Sequence, residues 1–328
     1  MLRGFGHAPC HFGELIQGVF RSDGGAVCRA LVTLPMTEHG TSAHFTRIPD
    51  SGLGDIAVVN ADRAKARRAA EITARRCAQL AGVRGSGGRL VLDSDVPVGI
   101  GMGSSTSDVL ATIRAVASAF DVRLPPETTV SLAVEAETAC DPLMLDERPV
   151  LFGPRNGRAL EVLGPNLPPM VVLGCTTGNA AAVDTVSLPD VPVAAVEDYE
   201  RLRTDVRRAV ATGDVGLLGK ACTHSARLNQ SLLPKKEFEA LEDIARRCGA
   251  AGVQVAHSGN VAGILLDARS PDLARCLEWG TTLLAQYDMT ATVVFRAGGN
   301  PQSGTCVASN SARAVRREGV GAGVRPHR

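Results

Sequence analysis

Apolar residues recur at helical spacing in some segments and cluster in short β-rich runs in others. Over residues 62–81, Ala66, Ala69, Ile72, Cys77 and Leu80 fall near a 3.6-residue period, which predicts a helix with these side chains inward. Residues 105–120 repeat the pattern with Val109, Ile113, Val116 and Phe120. A third helix is predicted over 127–139, ahead of Asp141-Pro142, where proline restricts the residue before it. Helices are also expected over 197–212 and 235–249. Strands are predicted over 26–34, 89–93, 170–175, 261–266 and 291–295, and the Gly-, Val- and Thr-rich residues 1–60 read as short strands and turns. Gly153-Pro154, Asn156-Gly157 and the run from Pro165 to Pro169 are turn-rich and mark a boundary, giving units 1–160 and 161–310. Residues 311–328 are rich in Arg, Gly and Ala without an apolar period and are expected to form a disordered tail. The pattern is α+β.

Composition narrows the function. Hydrophobic residues make up 45% of the 328, enough for a sizeable core, but aromatics only 3%. That scarcity argues against stacking on single-stranded nucleic acid. A formal charge of +1 gives no global field toward nucleic acid or an anionic membrane. The face of the 62–81 helix that carries Arg63, Lys65, Arg67, Arg68, Arg75 and Arg76 reads as a solvated face, with a nucleic-acid patch as the competing reading. No apolar run approaches the length of about 18 residues that a membrane span needs. The first residues lack a signal-peptide core, so the expected compartment is cytoplasmic. Nine scattered cysteines without a Cys-x-x-Cys pair read as small buried hydrophobes. His7, Cys10 and His11 are near neighbours in sequence and are the one candidate metal cluster, though no second cluster has zinc-like spacing.

The most informative segment is Pro97-Val-Gly-Ile-Gly-Met-Gly-Ser-Ser-Thr-Ser-Asp108. Gly99, Gly101 and Gly103 admit backbone conformations closed to other residues and let a ligand approach the main chain. Ser104, Ser105, Thr106 and Ser107 add hydroxyls at the head of a helix, whose unpaired N–H groups and dipole attract anions. This is a place to hold phosphate. A Walker A loop, a Gly-x-Gly-x-x-Gly turn at this position and the protein-kinase signatures are all absent.

The segment resembles the second motif of the GHMP kinases. Two more segments fit. Ala8-Pro-Cys-His-Phe-Gly-Glu-Leu-Ile-Gln-Gly18 resembles the family's N-terminal motif, and within the family it is most similar to the L-threonine kinases of cobalamin biosynthesis and propanediol utilisation. Gln254-Val-Ala-His-Ser-Gly-Asn-Val-Ala-Gly263 resembles the C-terminal glycine motif, and the segments around Asp184-Thr185 and Asn229-Gln230 are also similar. The resemblance implies an α+β GHMP kinase fold: an N-terminal domain like domain 2 of ribosomal protein S5 (1–160), then a ferredoxin-like domain (161–310), with ATP between them. It implies transfer of phosphate from ATP to the side-chain hydroxyl of an amino acid, L-threonine first. Homoserine, another hydroxylated amino acid or a sugar is the alternative acceptor, and a nucleic-acid-binding module is the reading from another class.

The resemblance also assigns residues. Pro97, Gly99, Gly101, Met102, Gly103, Ser104, Ser105 and Thr106 would bind ATP. Ser105 with Glu135 or Glu137 would hold Mg²⁺, the choice between the two glutamates staying open. Asp141 is the candidate base, against a plain Asp-Pro turn. His11 stands where mevalonate-type members have Lys, and either helps neutralise the transferring phosphoryl group or is a polar cleft residue. Glu14, Gln17, Asp184, Thr185, Ser258 and Gly259 are the candidates for the acceptor. The partner is a small hydroxylated amino acid, with neither nucleic acid nor membrane, and the oligomeric state is open, a homodimer included.

Overall fold

The computed structural model describes residues 2–59, 63–145, 148–178, 196–257 and 259–299. The predicted tail at 311–328 lies outside these residues. Two long antiparallel strands open the chain, β1 (Arg3–Arg21) and β2 (Val27–Arg47). Then come β3 (Ile56–Val59), α1 (Ala64–Ala81), β4 (Gly88–Ser94), α2 (Ser104–Ala119) and α3 (Pro126–Glu137). The hairpin β5 (Val150–Gly153) and β6 (Arg158–Val162) leads to β7 (Met170–Thr176). The remainder is α4 (Val196–Thr212), α5 (Val215–Asn229), α6 (Phe238–Cys248), β8 (Gly252–Val255), β9 (Val261–Asp267), α7 (Leu273–Gln286) and β10 (Ala291–Ala297). The strands form one sheet of order β10-β7-β9-β8-β1-β2-β4-β3, with β5 set against β2 and β6 against β5. The architecture is α+β, as the pattern indicated.

The short strands and turns expected over residues 1–60 are instead two strands of 19 and 21 residues. Their continuity rests on bulges, which bend a strand without ending it. The β1–β2 register shifts after Pro9 and again between His11 and Ile16, and Gly13 sits there at φ +68°. Near its start β1 lies directly under α2. A Cβ on Gly4 would come 2.1 Å from the Ala115 carbonyl oxygen, and one on Gly6 2.3 Å from that of Ala111. Ala111, Ala115 and Ala119 recur at four-residue spacing, so the helix offers a smooth face for that approach. The opposite side of α2 buries Val109, Ile113 and Val116, and Phe120 just beyond its end is buried as well. Each contributes roughly 1.5–3 kcal/mol of apolar transfer energy.

The packed clusters follow the sheet. One gathers Phe45, Leu90, Leu110 and Ile113 under α1–α3. A second places Phe12, Ile16, Phe20 and Leu34 against Tyr199, Leu202 and Leu218 of α4 and α5. A third joins Leu173, Val253 and Ile264 to α6 and α7.

Some elements depart from the sequence reading. Leu80 is 52% exposed, because α1 is ending there at Gly82 and its buried stripe stops at Ala78. The turn-rich stretch after 153 holds a hairpin, with Asn156-Gly157 as its bend and Gly157 at φ +63°. Helices α5 and α7 were not anticipated. The buried side of α5 includes Gly219, Ser225 and Asn229, which dilute an apolar period, while Asp214 caps the helix by accepting from the Leu217 amide at 2.9 Å. In α7, Gly280 breaks the pattern because its position abuts Leu173, where a Cβ would come within 2.9 Å. No helix among the described residues is long and apolar enough to cross a membrane. The eight described cysteines are free thiols, seven of them buried.

Candidate active site

The loop from β4 into α2 is shaped by Gly99, Gly101 and Gly103, at φ +81°, +91° and +66°. L side chains resist such angles. The loop's carbonyl groups are taken up by two distant segments. The amide of Gly13 donates to Gly101 (3.2 Å) and that of His11 to Met102 (3.3 Å). From the other side, Asn260 and Val261 donate to Ile100 at 3.0 and 3.1 Å. Gly259 lies against the same turn, so closely that a Cβ there would come 2.4 Å from the Gly101 nitrogen. Lys235 Nζ donates to the Gly259 carbonyl at 2.6 Å. The three motif segments thus meet at one place.

At the head of α2 the Ser107 amide donates to Gly103 at 2.9 Å, and no side chain caps the helix. Among the described residues no acceptor meets the amides of Ser104, Ser105 and Thr106. Such orphan donors, at the positive end of a helix, favour an anion.

Hydroxyls and carboxylates crowd the same end. Ser105 Oγ donates to one oxygen of Glu137 and Thr106 Oγ1 to the other, both at 2.7 Å. Burial disfavours the Glu137 charge more than these bonds favour it, and its pKa rises to about 7. Lys65 Nζ stands 3.8 Å from Glu137. Asp141 Oδ2 is 3.1 Å from His11 Nε2, while His11 Nδ1 faces the Gly13 carbonyl at 3.2 Å. With an oxygen acceptor at each ring nitrogen, the imidazole is suited to carry both protons. Burial opposes that charge, but Asp141, Glu14 and the Gly13 carbonyl outweigh burial and lift the His11 pKa to about 9. For Asp141 burial acts upward, yet His11 and Thr106 hold its carboxyl below the ordinary value. His11 packs where only glycine fits, since a Cβ on Gly103 would come 2.3 Å from the His11 ring.

Glu14 accepts from the His257 amide, and burial lifts its pKa to about 7 despite nearby His11. Gln17 Nε2 donates to Val255 O at 3.3 Å, which turns Gln17 Oε1 toward His257 Nδ1. The His257 proton therefore sits on Nδ1 and leaves Nε2 as an acceptor. Burial and the charge of Arg29 keep this ring neutral, with a pKa near 4 that Asp141 only partly offsets.

These groups line a cleft of about 350 Å³. His11, Glu14, Gln17, Gly99, Gly101, Met102, Gly103, Ser104, Ser105, Thr106, Glu137, Asp141 and Gly259 all face it. Pro97 is exposed and outside its lining. Glu135 is exposed too and belongs to a separate depression with Arg76 and Glu127, so of the two candidate glutamates only Glu137 reaches Ser105. Residues two apart on a helix point about 200° apart, which is why both do not serve. Asp184, Thr185 and Ser258 lie outside the described residues. His7 and Cys10 do not join His11. The His7 ring meets Ser42 at the surface, and Cys10 is buried with its thiol toward the Met36 carbonyl. The one grouping of metal-ligating types among the described residues is His11, Glu14 and Asp141, within 4.8 Å of one another. A doubly protonated His11 offers a metal no lone pair there.

Other lining residues carried no role in the sequence reading: Lys65, Arg29, Arg155, Tyr199, Asn229, Leu232 and His257. Lys65 is one of the basic residues of α1, where Arg63 also turns inward to pair with Asp108 at 3.0 Å. His257 and Asn229 stood inside segments noted for their resemblance. Arg29 and Arg155 had no local signal.

Comparison with known proteins agrees with this geometry. The family model described as GHMP kinases N terminal domain matches residues 64–143. L-threonine kinase of Salmonella typhimurium is 31% identical over 192 residues, 57% of this chain and 62% of that protein. L-threonine kinase of Citrobacter freundii is 29% identical over 188 residues, 56% of this chain and 64% of its own. The matches therefore span less than two thirds of these relatives. Homoserine kinase from Cytophaga hutchinsonii superposes with a TM-score of 0.64 at 16% identity, covering 90% of this chain and 95% of that one. Phosphomevalonate kinase from Streptococcus pneumoniae gives 0.65 at 12% identity, covering 90% and 99%. Fold and motifs define a GHMP kinase architecture. Residues 64–143 match the GHMP kinase N-terminal domain, the fold is the one GHMP kinases share, and the similarity in sequence is to the L-threonine kinases.

Proposed function

We propose that this protein transfers the γ-phosphoryl group of ATP to the side-chain hydroxyl of a small amino acid, with L-threonine the first acceptor to test. The observation that carries the reading is the row of unpartnered amides at Ser104–Thr106, on a glycine loop braced from both sides and opening beside the His11–Asp141 pair. The curated relatives' name supports the choice of acceptor.

Several amide bonds to phosphate, each worth about 1.5–3 kcal/mol when charge-assisted, outweigh the roughly 0.3–1 kcal/mol of a helix dipole. The donor set of Ser105 and Glu137 is hard oxygen, which fits Mg²⁺ and would hold it. Bound there, the ion would offset charge on the β- and γ-phosphates. The acceptor oxygen attacks the γ-phosphorus as the bond to the bridging oxygen breaks, and ADP departs. The hydroxyl proton passes to Asp141 Oδ2. The low pKa of Asp141 suits late proton transfer in a loose transition state, where positioning matters more than base strength. His11, as a fixed cation, offsets charge on the moving phosphoryl group. Glu14 and the lone pair of His257 are placed to receive the acceptor's ammonium.

The test is ADP release from Mg-ATP with a panel of amino and sugar alcohols. L-threonine is expected to raise ADP most. A folded protein that releases no more ADP with any acceptor than without would end the proposal.

A further inference from the structure

Part of the cleft wall belongs to none of the three motif segments. Arg29 comes from β2, Arg155 from the β5–β6 turn, and Asn229 from the last position of α5. Topology brings them together. β5 pairs with β2 at Leu31, so the turn that carries Arg155 stands beside the strand that carries Arg29. Ser225, one helical turn before Asn229, accepts from the Gln17 amide at 2.9 Å and fixes α5 against β1. Both arginines line the same cleft as His257 and add positive charge there.

Asn229 supplies the pointed observation. It is 4% exposed, it lines the cleft, and among the described residues its side-chain amide nitrogen meets no acceptor. A buried N–H without an acceptor is costly unless a ligand completes it. The required ligand group is an acceptor, and the neighbouring cations favour an anionic one. Planar guanidinium forks match carboxylate geometry. The Tyr199 ring bounds one side of the cleft, packed over Gly18 where a Cβ would come within 2.2 Å.

We infer that Arg29, Arg155 and Asn229 form the subsite for the acceptor's carboxylate, so that the acceptor is a short hydroxylated amino acid and not a sugar or a neutral alcohol. The inference rests on the proposed kinase reading for its role but concerns binding, which is measured separately.

Binding of L-threonine, L-serine and L-homoserine to the full chain is compared by calorimetry with binding of each one's carboxamide, with and without Mg-ADP. At least one acid is expected to bind tenfold or more tightly than its amide. Arg155 is exposed on a turn, so Arg155→Gln spares the fold, and it is expected to shrink that preference below threefold while the amide's affinity stays within twofold. Asn229→Asp, which keeps the shape and sets a carboxylate against the ligand's, is expected to reverse the preference, with a melting curve to verify folding. No binding of any acid, equal binding of acid and amide, or full preference retained in Arg155→Gln overturns the inference. ADP release is followed in parallel. A carboxylate preference without ADP release removes the kinase reading alone. ADP release that ignores the carboxylate removes the subsite alone.

Discussion

Gly259 braces the glycine loop ahead of α2, and adding one methyl group there measures how much that brace matters. The glycine sits at φ +102°, and a Cβ would come 2.4 Å from both the Gly101 nitrogen and the Ile100 carbonyl carbon. Both are backbone atoms, so no side chain can swing away. Restoring ordinary contact at 3.4 Å requires a shift of roughly 1 Å between loop and brace. A misplacement of about 1 Å at a reacting centre lowers rate around 100-fold, or about 2.7 kcal/mol. Backbone strain adds about 1–2 kcal/mol to the loss of stability. Gly99→Ala is the control. That position also has a positive φ, +81°, but nothing lies within 4 Å of its Cβ, so it carries the strain without the collision. The assay is thermal melting of both variants together with calorimetric titration by Mg-ATP. Gly259→Ala is expected to melt below Gly99→Ala and to bind and use ATP far more weakly than the native chain. A Gly259→Ala protein with native ATP affinity, no less stable than Gly99→Ala, would refute the bracing argument.

Other outcomes follow from the charged groups. Asp141→Asn is expected to lower kcat by about 100-fold or more, within the range of general-base losses, with ATP affinity within twofold; unchanged turnover removes Asp141 from proton transfer. The pair's own stabilisation has a defined pH window. The folded His11 pKa of about 9 lies above its ordinary 6.5, so the native state holds the extra proton. This stabilisation is complete below pH 6.5 and fades as pH rises through about 9, so native and Asp141→Asn melting temperatures should converge between those limits. A gap that stays constant to alkaline pH contradicts the pairing. Glu137, raised from 4.5 to about 7, must lose a proton before holding Mg²⁺. Magnesium affinity should weaken about tenfold per unit as pH falls below about 7 and level off above it, a slope that Glu137→Gln abolishes.

Much of the fold was legible where one physical signal dominated. Helices α1 and α2 showed themselves through apolar period, and β7 and β9 through dense apolar runs that the structure buries. The glycine loop was readable as a shaped turn because Gly99, Gly101 and Gly103 all take positive φ ahead of α2. Helix α5 stayed hidden because its inward face does polar work: Ser225 fixes Gln17, and Asn229 opens on the cleft. The choice between Glu135 and Glu137 needed the helix's phase, which its sequence alone left ambiguous. Arg29 and Arg155 were illegible for a different reason. They are 126 positions apart, and only the antiparallel contact of Leu31 with Phe152 makes them neighbours.

The carbonyls of Ile100, Gly101 and Met102 are satisfied by the amides of His11, Gly13, Asn260 and Val261, so the glycine loop closes a circuit spanning most of the chain. Contacts of such separation form late, after loop-closure entropy has been overcome. The loop's bracing is therefore complete only once Asn260 and Val261 have docked on the Ile100 carbonyl. If the loop holds ATP as proposed, a fragment ending before β8 is expected to bind Mg-ATP far more weakly than the full chain.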